Sequence, residues 1–484
     1  MRILAIAAEA APYVKVGGLA DVAGMLPRQL ARMGARVDLL LPGYRSVLLQ
    51  GHPFEPAGEV EFPYHGRTAR VRLLRMHLED GLTVTLVDEP AAFGREGVYD
   101  DPVTKEGYRD NPERFAFFSR AAAEVAVREL PDVVHVHDSH GALVPGMLRV
   151  VVPHRLLRAP VTVLTIHNLA HQMQCPPEVL FAVGFPRELF FPLGPLEFHG
   201  HGNFLKAGIW FSDAITTVSE RYAHEIQEGE LGCGLDGLLR TRRGDLLGIL
   251  NGIDTSVWDP ARDPHLPANY DVDDLSGKRV CREELLRAAR LHAPDQVPVI
   301  GMVGRLADQK GLDVFASAAG RLAELPVRFT ILGSGQEKYH RLMNDLARWR
   351  PDKFSVYLGF HDELAHRIEA GADFFLMPSR FEPCGLNQMY SMRYGTLPIV
   401  RRTGGLADTV RDVEEAPADG TGLAFSAPDA DALIGKVHSA IRLHRNEPLR
   451  REVQRRAMTQ DFSGERQARR YLELFEHLLR RRGA

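Results

Sequence analysis

Short, continuous apolar runs recur along this chain in two series, with amphipathic stretches between them, and this alternation limits what the chain can fold into. The first series is residues 3–8, 35–41, 82–87, 132–137, 161–166, 214–218 and 246–250. The second is residues 297–303, 328–332, 354–358, 374–377 and 396–400. A strand that is apolar along its whole length, without polar alternation, is buried on both faces, as in a parallel sheet covered by helices. The amphipathic stretches 19–33, 114–129 and 312–323 supply such helices. Two series predict an α/β protein of two doubly wound parallel-sheet domains. The length of 484 residues agrees, because a single core stops growing near ~250–300 residues.

The expected boundaries are a first domain over 1–250, a linker over 251–270, a second domain over 271–460 and a terminal helix over 461–484. The linker is placed by the Pro- and Asp-dense stretch Trp258-Asp-Pro-Ala-Arg-Asp-Pro-His-Leu-Pro. The terminal stretch is Arg-rich and helical in pattern. It could cap the second domain or cross back to the first, and the sequence leaves both open.

One motif occurs twice. Lys15-Val-Gly-Gly-Leu-Ala-Asp-Val-Ala returns as Arg402-Thr-Gly-Gly-Leu-Ala-Asp-Thr-Val, each shortly after a strand and opening a helix. Paired glycines at a helix start let backbone amides approach an anion, and an upstream cation adds charge. Either copy alone reads better as a pair of tight turns. One copy per domain points to a shared anionic ligand, held by Lys15, Gly17, Gly18 and Asp21 on one side and Gly404 and Gly405 on the other. Polar clusters also follow the strands: His137-Asp138-Ser-His140, His167-Asn168, Asn251-Gly-Ile-Asp254, Arg305-Leu-Ala-Asp-Gln-Lys310 and Arg380-Phe-Glu382-Pro-Cys384-Gly385. Ligands of open parallel sheets bind at such strand ends. Arg305 and Lys310 beside a helix start suit a diphosphate. Glu382 reads either as a helix cap or as a carboxylate that holds sugar hydroxyls and stabilises positive charge at an anomeric carbon.

Composition excludes several classes. Lys and Arg total 59 against 63 Asp and Glu, a net charge of −4, which suits neither a general nucleic-acid binder nor an anionic-lipid surface. Four scattered cysteines without C-x-x-C spacing disfavour a disulfide framework or zinc site, and suit a reducing cytoplasm. The apolar start meets Glu9 too early for a signal-peptide core, and no stretch reaches the ~18–20 apolar residues of a membrane span. His137 and His140 lack the partners of a metal motif, so no metal is expected. No Gly-x-Gly-x-x-Gly follows the first strand, which disfavours a nicotinamide enzyme.

Several segments resemble the bacterial glycogen synthase and plant starch synthase family. They are the Lys15–Asp21 loop, Gly202-Asn-Phe-Leu-Lys-Ala-Gly208, Gly234-Leu-Asp-Gly237, Ile249-Leu-Asn-Gly-Ile-Asp254 and Arg305-Leu-Ala-Asp-Gln-Lys-Gly-Leu312. The longest match runs from Pro378 to Val410. The resemblance implies the GT-B architecture, two Rossmann-like domains facing a central cleft, and metal-independent, retaining transfer of glucose from ADP-glucose to an α-1,4-glucan such as glycogen, without a cofactor. It implies that Lys15 with Gly17 and Gly18, and Arg305 with Lys310, meet the donor diphosphate. It also implies that Glu382 and the amides around Cys384, Gly385 and Leu386 hold the donor glucose, that His167 and Asp138 line the reacting face, and that Asn251 lies by the sugar.

The chain departs from the family at three places. Ser139 replaces a tryptophan after His-Asp, the H-N-x-x-[YF]-Q-G pattern becomes His167-Asn-Leu-Ala-His171-Gln-Met173, and D-F-S-W becomes Asp461-Phe-Ser-Gly464. Lost rings point to altered acceptor binding. The competing readings are a related transferase with a small sugar acceptor and a catalytically weak glucan- or nucleotide-sugar-binding protein.

Overall fold

The computed structural model describes residues 1–78, 81–104 and 106–483; Ala484, the end of the expected terminal segment, lies outside them. The chain forms two compact units, Met1–Gly252 with Gly464–Ala484, and Ile253–Ser463.

In the first unit the strands are β1 (Arg2–Ile6), β2 (Arg36–Pro42), β3 (Glu55–Tyr64), β4 (Arg67–His77), β5 (Leu82–Asp88), β6 (Val133–His137), β7 (Val161–Ile166), the short β8 (Gln174–Cys175), β9 (Glu197–Phe198) and β10 (His201–Asn203), and then β11 (Ala214–Thr217) and β12 (Leu246–Gly248). The main sheet has nine strands in the order β12-β11-β7-β6-β1-β2-β5-β4-β3, while β8, β10 and β9 form a small sheet of their own. From β12 to β5 every pairing is parallel. β6 and β7 are buried along their full length, which is why they read as unbroken apolar runs. The hairpin β3–β4 is antiparallel and was invisible as an apolar run. It alternates buried Val60, Phe62, Val71 and Leu73 with charged residues that face water.

Two helices pack on one another and on this sheet. Helix Gly18–Arg32 buries Leu19, Val22, Ala23, Leu26 and Leu30 along one stripe. It packs against the terminal helix Gly464–Gly483, which belongs to the first unit. There the Tyr471 hydroxyl lies 3.1 Å from Thr165 Oγ1 and 3.2 Å from Thr216 Oγ1, on β7 and β11. Gly464 is the contact point: a Cβ there would sit 1.9 Å from Met25 Sδ. Gly464 is thus a buried packing position against the first helix. Ser139 is likewise 1% exposed, whereas His171 is exposed.

The second unit has one parallel sheet of β13 (Val299–Leu306), β14 (Arg328–Gly335), β15 (Phe354–Leu358), β16 (Phe374–Met377), β17 (Leu397–Arg401) and β18 (Leu423–Phe425), in the order β15-β14-β13-β16-β17-β18. Phe329 and Phe354 stack in its core with centroids 5.2 Å apart. Residues 253–270, read from sequence as linker, pack into this unit: Trp258 stacks on His366 at 3.8 Å and on Tyr390 at 3.9 Å. The described residues contain no helix long and apolar enough to cross a membrane.

Candidate active site

In each sheet the strand order reverses at one place, between β1 and β6 in the first unit and between β13 and β16 in the second. Diverging crossovers leave a crevice beyond the carboxyl ends of the two central strands. Of the residues singled out from sequence, Lys15, Gly17, Gly18 and Asp138 lie at or beyond the strand ends of the first reversal, and Arg305, Lys310 and Glu382 at or beyond those of the second. His167, by contrast, follows β7, Gly404 and Gly405 follow β17, and Asn251 follows the edge strand β12.

In the first unit, β1 runs into the loop that carries Lys15. Its brace is Glu9, which sequence reasoning passed over except as a charge too early for a leader. Glu9 is 4% exposed, accepts from the amides of Val16 (2.6 Å) and Gly17 (2.9 Å), and accepts from the Tyr99 hydroxyl (3.2 Å). Burial raises its pKa against those donors. A lone carboxylate just after an apolar run was the available signal. Lys15 Nζ pairs with Asp21 Oδ1 at 2.7 Å across the two glycines. Gly17 is the N-cap of helix Gly18–Arg32 and receives no side-chain cap, and a Cβ built on it would meet nothing within 4 Å. Lys15 and Gly18 are exposed. This loop is an open helix start, with Lys15 paired to Asp21 and the Val16 and Gly17 amides held by Glu9.

At the end of β6, Asp138 holds a left-handed backbone, φ +55°, which costs a non-glycine residue about 1 kcal/mol or more. Its Oδ1 accepts from the amides of His167 (2.6 Å) and Asn168 (3.4 Å) at the end of β7. Burial nevertheless pushes its pKa up to about 7. His167 Nε2 shares a 2.9 Å hydrogen bond with His137 Nδ1. Burial pushes His137 down to about 4 and His167 well below the usual range, so both rings are neutral at neutral pH. Asn251 is 5% exposed, and its Oδ1 accepts from Gln467 Nε2 of the terminal helix at 3.0 Å, which commits that oxygen to holding the helix.

In the second unit, Lys310 follows β13 and Glu382 follows β16. Lys310 Nζ reaches Glu382 Oε2 at 2.7 Å, and the Ser379 hydroxyl donates to the same oxygen at 2.9 Å. Glu382 is 5% exposed, while Lys310 is partly open and Arg305 exposed. Glu382 caps no helix: the next one starts at Asn387, with Leu386 as its N-cap. Between the two readings left by the sequence, the carboxylate therefore stands as a paired, buried charge at the strand-order reversal. The loops are locked together by backbone. The Arg380 amide donates to Gln309 O at 2.8 Å, and Gly311, at φ +66°, passes so close to Pro378 that a Cβ would lie 1.9 Å from its carbonyl oxygen.

The second Gly-Gly copy differs from the first. The Gly405 amide donates to Glu382 O at 3.1 Å, and Cβ atoms on Gly404 and Gly405 would lie 2.0 Å from Glu382 O and 2.2 Å from Cys384 O. Its upstream cation, Arg402, pairs with Glu415 at 2.5 Å. These glycines are needed so that the Glu382–Cys384 backbone can approach. Cys384 is buried and Gly385 has φ +74°, and Gln388 Nε2 donates to both of their carbonyls, at 3.1 and 2.9 Å. The shared sequence thus forms an open helix start in one unit and the scaffold of a buried carboxylate in the other.

The two sheet units, each with polar loops and a buried carboxylate near its strand-order reversal, share the architecture of glycosyltransferases of the GT-B class. Residues 2–241 match the family model described as starch synthase catalytic domain, and residues 287–460 match glycosyl transferases group 1. Glycogen synthase 1 of Geobacter metallireducens is 42% identical over all of this chain and 97% of its own length. The glycogen synthase of Anaeromyxobacter dehalogenans is 45% identical over 99% of both. Among solved structures, the catalytic domain of starch synthase IV from Arabidopsis thaliana bound to ADP and acarbose superposes with a TM-score of 0.89 at 32% identity, covering 99% of both chains. Sucrose-phosphate synthase from Thermosynechococcus elongatus shares the fold, with a TM-score of 0.62 at 18% identity. The chain belongs to the bacterial glycogen synthase and starch synthase family.

Proposed function

We propose that this protein transfers glucose from ADP-glucose to the non-reducing end of an α-1,4-glucan with retention of configuration, and that it needs no metal to do so. The observation that carries this reading is the Lys310–Glu382–Ser379 cluster at the strand-order reversal of the second unit. In the transfer, the bond from the sugar's anomeric carbon to the phosphate oxygen breaks and its electron pair leaves with ADP. A bond forms from that carbon to the acceptor O4, whose proton is released. Negative charge grows on the diphosphate while positive charge grows on the sugar ring, so the reaction needs cations on one side and an anion on the other. Arg305 and Lys310 supply the cations, with Lys15 and the open Gly17-Gly18 turn as a further anion contact. Glu382 supplies the anion, and the amides around Cys384, Gly385 and Leu386 hold the donor glucose beside it.

His167 and Asp138 are assigned to the reacting face. A neutral imidazole can hydrogen-bond a sugar without adding a like charge near the developing cation. The starch synthase IV neighbour, bound to ADP and acarbose, supports a nucleotide and a glucan-like ligand for this architecture. Supplying radiolabelled ADP-glucose and glycogen in excess EDTA tests the reading. Label should enter the polymer. Label in a small product, or turnover restored only by Mg²⁺ or Mn²⁺, would refute it.

A further inference from the structure

Away from the residues assigned to transfer, the second unit brings together two histidines and a carboxylate. Potential ligand atoms of His265, Asp362 and His366 all lie within 4.8 Å of one another. Asp362 and His366 stand four residues apart at the start of helix Asp362–Gly371, which puts them on one face one turn apart. His265 comes from the loop between Asp263 and Leu266, about a hundred residues earlier in the chain.

The same loop provides the brace for both histidines. Asp263 Oδ2 accepts from His366 Nδ1 at 2.7 Å and from the Tyr394 hydroxyl at 2.6 Å, while its Oδ1 accepts from the His265 backbone amide at 2.9 Å. The Asp263 and His366 side chains are 0% and 1% exposed. Trp258 lies flat on the His366 ring, 3.8 Å away with a 5° interplanar angle, and the His265 ring is 4.8 Å from it. His366 is therefore fixed in tautomer and orientation: with Nδ1 held by a carboxylate, Nε2 is left as its ligand atom. A histidine held in this way by a buried carboxylate is the usual support of a protein metal site.

We propose that His265, Asp362 and His366 form a binding site for a borderline divalent transition metal, of which Zn²⁺ is the type. Two imidazoles and one carboxylate favour such an ion over Mg²⁺ or Ca²⁺, which prefer all-oxygen shells. Bonds of ~2.0–2.1 Å bring ligand atoms to roughly 3.3 Å from one another. Asp362 is exposed and His265 partly so, while His366 is buried, so the closing movement onto an ion falls to Asp362 and His265. Three protein ligands leave a fourth position for water. None of the three is assigned to the transfer reaction, so the ion stabilises the second unit and does not take part in turnover.

The test is titration of the full chain with Zn²⁺ alone, in competition with a chromogenic chelator, together with thermal melts in Zn²⁺ and in EDTA. One equivalent should bind tightly and raise the melting temperature of the wild type. His265→Gln and Asp362→Asn, at a partly exposed and an exposed position, should melt like the wild type in EDTA, and each should lose at least about tenfold in Zn²⁺ affinity. No binding tighter than about 0.1 mM would overturn the proposal, and so would affinity unchanged in either variant. The readout needs no donor or glucan, so its outcome is independent of the proposed transfer.

Discussion

Replacing Asp138 by Asn should stabilise the first unit and cost activity, and the size of the gain should depend on pH. Asp138 is 7% exposed, and burial raises its pKa from 3.8 to about 7. Three pKa units correspond to about 4 kcal/mol against the ionised native form, as an upper bound. Between pH ~4 and ~7 the native state holds this proton and the unfolded chain does not. Stability therefore falls as pH rises across that window and is level above it. The amide that replaces the carboxyl does not ionise, and its oxygen would still accept from the His167 and Asn168 amides. Asparagine also tolerates the left-handed backbone better than most residues.

The advantage of Asp138→Asn should thus grow by about 2–3 kcal/mol between pH 5 and pH 8. For a unit of about 270 residues, an unfolding entropy of ~2.1 cal/mol/K per residue turns this into about 4–5 °C. His137 and His140, pushed down to about 4 and about 3, contribute stability that rises with pH, but they do so equally in both proteins. Calorimetric melts of wild type and variant at pH 5, 6, 7 and 8, with turnover measured alongside, provide the assay. Turnover in the variant should fall about 10²-fold if the charge acts on the sugar. A stability difference that is flat across pH would refute the reasoning, because Asp138 would then ionise without cost.

Met173 has φ +56° where the family pattern has glycine, so Met173→Gly should remove backbone strain and raise stability by about 1 kcal/mol, read in a denaturant melt. Gly17→Ala should fold normally, since nothing lies within 4 Å of its Cβ, yet weaken ADP binding. Gly404→Ala should lower the melting temperature markedly, because its Cβ would lie 2.0 Å from Glu382 O. Lys15→Ala should raise the donor KM and lower kcat together, and Lys15→Arg should rescue only partly, since a planar fork does not replace a compact ammonium.

Strands buried on both faces announced themselves as unbroken apolar runs, so the two sheets and their strand-end clusters were legible in the sequence. The β3–β4 hairpin was not, because one face lies in water and its charges break the run. The conformation of Asp138 was also hidden: aspartate tolerates the left-handed region, but only the tertiary structure puts it there. The repeated Gly-Gly motif looked symmetric because the same residues serve two ends. One pair leaves room over Gly17, while the other lets the Glu382–Cys384 backbone approach, and close approach is a property of the folded chain. Glu9 and the His265–Asp362–His366 group depend on burial or on contacts between distant segments, which local pattern does not encode.

The most direct test of the account is Glu382→Gln, measured as glucose transfer from ADP-glucose to glycogen in parallel with a thermal melt. Gln keeps the shape and an acceptor oxygen for Ser379 but removes the charge that Lys310 pairs with. If that charge steadies the sugar as ADP departs, kcat should fall by roughly 10²–10³-fold with the donor KM little changed. Near-normal turnover in a protein that is merely less stable would contradict the account, and would leave Glu382 as a structural partner of Lys310.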